Sequence, residues 1–114
     1  MSELEHSGHE LYELGERIGR LAIMGGVNLG SDEIVIALIK DDFPYCEQHS
    51  STLSKHLFDE IRSLIMLWYQ LEQHTIEVFG EDVGSKIIAE QEARLRHRGF
   101  TRFGHRAQMG LTRM

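Results

Sequence analysis

The stretch from Thr52 to Phe79 constrains this chain more than any other part of it. Leu57, Ile61, Leu64, Trp68, Leu71 and Val78 recur there in steps of three, four and seven. That is the period of a helix face; a half-buried strand would alternate at every second residue. A helix over the whole stretch is roughly 40 Å long at the standard rise. In a chain of 114 residues, a rod of that length has to be the spine of the fold.

The rest of the chain supplies shorter helices. One runs from about Gly8 to Met24, with Leu11, Leu14, Ile18 and Leu21 on one face. Gly15 and Gly19 lie one turn apart on it. Each costs about 1 kcal/mol of helix propensity relative to Ala, so the pair predicts close approach of another backbone. Gly25 and Gly26 end this helix. Ser31 followed by Asp32 and Glu33 reads as an N-cap with acids in the first turn. The run Ile34 to Ile39 is apolar on every side, as a short buried helix or a buried strand would be. The cap at Ser31 favours helix, which Phe43-Pro44 stops. Ser50, Ser51 or Thr52 can cap the long helix, and Gly80 ends it. Asp82 can cap a last helix through about Arg98, with Val83, Ile87, Ala89, Ala93 and Leu95 as its apolar surface. The expected fold is all-α: a bundle of about four helices over residues 1–98, with a basic C-terminal tail over 99–114.

Six large residues stand in a row in the middle of the long helix, from Leu64 to Tyr69. Successive helix positions differ by about 100°, so six of them cover the whole circumference. A helix that is apolar all round is buried all round. Three other short helices can hardly enclose it, so a second subunit is expected to. Met66, Leu67, Trp68 and Tyr69 are the expected dimer or partner interface.

Charge is unevenly distributed. Residues 1–92 carry 18 acidic and 6 basic side chains, a balance of −12, whereas residues 93–114 carry 6 Arg and no acid, a balance of +6. Arg94, Arg96, Arg98, Arg102 and Arg106 are interleaved with Phe100 and Phe103. Arginine with aromatics suits RNA, single-stranded DNA or an acidic protein groove. Three fates for this segment stay open: docking on the acidic body of its own dimer, binding an external partner, or inert disorder. No apolar run is long enough to span a bilayer, and the acidic start is no secretory signal. A single cysteine, Cys46, cannot form an intrachain disulfide. A cytoplasmic setting is expected.

Several chemistries fit the sequence poorly. Cys46-x2-His49, His56-x3-Glu60 and Glu3-x2-His6 have ligand-like spacings, but zinc needs three or four converging ligands and a paired motif is missing. Cys46 with His49 or His56 lacks a third member and a nucleophile elbow; a small residue closing the core is the better reading. Gly25 to Gly30 lacks the lysine of a phosphate loop. The turn near Gly26 resembles that of a helix-turn-helix, but a second helix bearing Asp32, Glu33, Asp41 and Asp42 is electrostatically wrong for DNA. The expectation is a non-enzymatic regulatory or adaptor protein without metal or cofactor, dimeric, and binding a protein partner. The competing expectation is a nucleic-acid-associated protein using the C-terminal arginines. A minor one is an acidic mimic of nucleic acid.

Overall fold

The computed structural model describes the backbone of residues 3–97 and the side chains of residues 8–97. Among the described residues there are five α-helices and no strand: α1 (Glu3–Gly25), α2 (Asp32–Ile39), α3 (Phe43–Gln48), α4 (Lys55–Phe79) and α5 (Glu81–His97). None is long and apolar enough to cross a membrane. At 25 residues, α4 is roughly 37 Å long, nearly the longest molecular dimension of 42 Å. It is the spine that its periodicity predicts.

The ends of the helices follow local chemistry. At the end of α1, Gly26 takes a left-handed φ of 66°. The amide of Val27 then donates back to the carbonyl of Ala22 at 2.8 Å, so the glycine closes the helix. The Ser31 hydroxyl caps α2 by accepting from the Ile34 amide, and the run 34–39 is helix. Pro44 plays a second part beyond stopping α2. It stands in the first turn of α3, where its missing N–H and fixed φ are no handicap, and Asp42 caps that helix through the Tyr45 amide. The extra helix is why five appear where about four are expected. The cap of α4 is Ser54, which accepts from the Leu57 amide at 3.1 Å. Ser50 instead donates to the Gly25 carbonyl and ties the loop to the end of α1. The α5 helix begins at Glu81, so Asp82 lies inside its first turn.

The three long helices pack against one another pairwise, and α2 packs against α3 and α4. Gly25, at the end of α1, meets Leu53, just before α4, and Leu57 in its first turn, and Arg17 pairs with Glu60 at 3.3 Å. These two helices therefore run antiparallel. Gly80 alone joins α4 to α5 and turns the chain back. Thus α5 runs parallel to α1, with Gly8 beside Ile87 and Gln91, and Gly15 beside Leu95. The core is contributed by every helix, with Leu11, Ile18, Leu38, Cys46, Phe58, Ile61, Trp68 and Leu95 almost fully enclosed.

Two expectations about packing need correction. The buried residues of α5 are Gly84, Ile87, Ile88, Gln91, Glu92 and Leu95; Val83 is 44% exposed, and Ala89 and Ala93 face solvent. Of the expected pair Gly15 and Gly19, Gly15 meets side chains and not backbone, whereas Gly84 does stand at a backbone-to-backbone approach. A Cβ on Gly84 would stand 2.9 Å from the Ile76 Cα and 3.1 Å from the Thr75 carbonyl oxygen. At Gly15 the neighbours are the side chains of Leu95 and Trp68. Gly84→Ala is therefore expected to destabilise the protein despite a propensity gain of about 1 kcal/mol, because overpacking costs about 1–3 kcal/mol and backbone cannot swing aside. Gly84→Leu should cost more. Urea midpoints measure both, and an unchanged Gly84→Ala midpoint would mean that α4 and α5 stand further apart.

Candidate functional site

The α4 helix has two unlike sides. Its buried arc holds Phe58, Ile61, Ile65, Trp68, Tyr69, Glu72 and Thr75. At 100° per residue, Leu64, Leu71, Glu60, Val78 and Leu67 follow one another around the edge of that arc and onto the opposite side. Leu64, Met66 and Leu71 are half-buried, and Leu67 and Val78 are 43% and 50% exposed. Because Glu60 reaches Arg17, this edge is the one that borders α1.

Charge is missing from this outer side. From Ser63 to Ile76 the sequence contains one Asp, Glu, Lys or Arg, and that residue is Glu72, which is 2% exposed. Some 20 Å of helix surface therefore presents Ser63, Leu64, Met66, Leu67, Gln70, Leu71, Gln73 and His74, with no Asp, Glu, Lys or Arg among them. In a chain where 26% of residues are charged, that is an unusual strip. Depletion of charge at the centre is what distinguishes a protein interface from ordinary surface.

The expected interface residues divide accordingly. Met66 and Leu67 lie on the outer side. Trp68 and Tyr69 lie in the core, at 1% and 8% exposure. The single chain buries half of the apolar belt by itself, because Gly15 lets α1 come against Trp68 and because Leu95 of α5 closes over the same place. Enclosure by a second subunit is not needed for Ile65, Trp68 or Tyr69.

The core behind the strip holds a polar group that periodicity did not reveal. The indole Nε1–H of Trp68 donates to a Glu72 carboxylate oxygen. Burial pushes the Glu72 acid up to about 7; the indole bond opposes the rise and the Glu92 charge adds to it. Glu92, on α5, is itself 7% exposed. Burial, and then the Glu72 charge, raise the Tyr69 phenol well above its usual range. The Tyr69 hydroxyl is enclosed and finds no hydrogen-bond partner among the described residues. Spacing held one signal: a buried Trp needs an acceptor for its N–H, and Glu72 stands one turn on.

The C-terminal arginines fall partly within the described residues. Arg94 lies over the Tyr12 ring, 4.1 Å from its centroid, and donates to Gln91 at 2.8 Å. Arg96 is exposed in the last turn of α5, where a cation meets the negative helix end. Arg98, Phe100, Arg102, Phe103 and Arg106 lie outside the described residues.

The candidate metal and nucleophile groupings do not converge. Among the described residues no three of His, Cys, Asp and Glu are placed to hold a metal ion; Glu3 and His6 lie outside the described side chains. Cys46 is 2% exposed, and its thiol points at the Ile34 carbonyl at 3.9 Å. Burial, with help from the Asp42 charge, pushes that thiol up to about 11, which disfavours the reactive thiolate. The His49 ring packs on Tyr45 with 4.7 Å between centroids.

Compared with protein-family models, with curated proteins and with solved structures, the chain matches none.

Proposed function

We propose that this chain is a non-enzymatic helical adaptor that pairs with a second copy of itself through the uncharged strip of α4, and that the pair holds a protein partner. The supporting observation is the outer side of α4: exposed Leu67, flanked by half-buried Leu64 and Leu71 towards α1 and half-buried Met66 at the other margin, over roughly 20 Å with no Asp, Glu, Lys or Arg on the surface. Two chains of net charge −6 repel one another as they approach. The α4 strip is where an identical surface can be opposed without setting like charge against like charge. A two-fold pair is the simplest closed assembly it can form. The expected interface is therefore centred on Leu67, with Leu64 and Leu71 on the flank that borders α1, Met66 at the opposite margin about 140–160° around the helix from them, and Trp68 and Tyr69 supporting it from the core.

Light scattering tests the pairing. At ~100 μM, where a dimer with a Kd of ~1 μM is nearly complete, the protein should show twice the 13.1 kDa chain mass. Leu67→Glu places a charge opposite its own copy and should return the mass to that of one chain. Helical content should be unchanged, because Leu67 is 43% exposed. A wild-type protein at the single-chain mass overturns the pairing. Recovery of a partner from cell lysate that is lost on nuclease treatment would favour the second reading, in which the C-terminal arginines bind nucleic acid. Arg94 is already engaged with Tyr12 and Gln91, so that reading rests on Arg96 and on the arginines beyond the described residues.

A further inference from the structure

A cavity of about 290 Å³ lies away from the α4 strip, between the loop after α1, the start of α2, and α3. Its volume is close to the lower end of the range for small-molecule sites. Val27 and Ile34 give it apolar walls, Tyr45 and Cys46 line it from α3, and Asn28 and Ser50 contribute polar groups. Glu33 is the one Asp, Glu, Lys or Arg among the lining residues, which also include His49.

We propose that this cavity binds a small organic amine, its ammonium group near Glu33 and its apolar body against Ile34 and Tyr45. The sign of the charge follows from the surroundings. Asp32 and Glu33 stand in the first turn of α2 beside the cavity, and Asp42 is close enough to act on the Cys46 thiol, whereas Asp41 is paired with Lys55 and Arg62 at 3.8 and 3.9 Å. Lys40 caps the opposite end of α2 from the cavity. The start of a helix ordinarily attracts anions. Here Asp32 and Glu33 occupy the first turn and the Ser31 hydroxyl takes the Ile34 amide, so an anion is repelled. A metal ion is the wrong cation, since no three ligands converge among the described residues and much of the wall is apolar. An amine with an apolar body fits both halves of the lining. The Tyr45 ring, held at 54° to the His49 ring, offers a π surface to the ammonium or to an aromatic body.

Phenethylamine and 3-phenylpropionate have similar shapes and opposite charge, so the pair reads out the sign directly. Titrated into the ¹⁵N-labelled full chain, the amine should move the amides of Val27, Ile34, Cys46 and Ser50 along a saturable curve. The acid should bind roughly tenfold more weakly or worse. Glu33 is exposed, so Glu33→Gln leaves the fold intact by circular dichroism; it should abolish the preference for amine over acid. Tyr45→Leu should weaken the amine severalfold. The proposal is overturned if no saturable shift is seen at ~10 mM amine, if amine and acid bind alike, or if folded Glu33→Gln keeps the full preference. None of these outcomes bears on pairing through α4, which Leu67→Glu tests separately.

Discussion

Trp68→Ala is expected to lower the stability of the protein by about 4 kcal/mol. Removing a buried Trp costs about 3–5 kcal/mol through lost burial and the cavity left behind. Trp68 is 1% exposed and among the largest fully enclosed side chains. Its removal also takes away the N–H that Glu72 accepts, which leaves a buried carboxyl with less to bind. Domains of this size are stable by only about 5–15 kcal/mol, so the variant should be partly unfolded well below the wild-type melting temperature. Trp68→Phe keeps most of the apolar contact and should cost less. The decisive comparison is made in the Leu67→Glu background, where pairing is removed. If Trp68 packs inside one chain, the loss persists there in urea titrations. Should Trp68→Ala in that background leave the midpoint unchanged, the residue would belong to an interface and the packing of α1 on α4 would be wrong.

The helices were legible where a local signal fixes them. Ser31 with Asp32 and Glu33 identifies the start of α2, because capping is decided within one turn. The steps of three, four and seven identify α4, and Gly80 its end. Signals with two meanings are less informative. Pro44 both stops α2 and opens α3, since the ring that cannot continue a helix suits the first turn of the next. On α5, Ala89 and Ala93 are too small to declare a face, and Gly84 registers close packing only once its neighbour is known to be the Ile76 backbone. The belt at Leu64 to Tyr69 was legible as apolar, but a single sequence does not say that the chain's own α1 and α5 cover half of it. The buried carboxyls were the least legible feature. Glu72 and Glu92 look like surface acids in sequence, and their burial depends on tertiary contacts between α4 and α5.

Glu72 makes stability depend on pH in a direction opposite to that of an ordinary ion-paired acid. In the folded protein its acid is held up at about 7, whereas a free glutamate titrates at ~4.3. Between those values the folded state keeps a proton that the unfolded chain has released. Stability from this group is therefore fully present below pH ~4.3 and is lost as pH rises to 7. At about 1.4 kcal/mol per pKa unit, the loss by pH 8 is on the order of 4 kcal/mol. The groups that face Glu72 act in opposite senses: the Trp68 indole N–H favours the ionised form, while Glu92 across on α5 disfavours it. Glu72→Gln keeps a neutral acceptor for the indole and removes the titration. Its urea midpoint is expected to be close to wild type at pH 4 and clearly higher at pH 8, with the gap opening from pH ~4.3 and widening through pH 6 and 7. Comparing variant with wild type at each pH cancels the titration of the histidines and surface acids common to both. A gap that is constant across this range would show that the Glu72 carboxyl is ionised in the folded protein throughout, and that the core between α4 and α5 admits water or a cation to it.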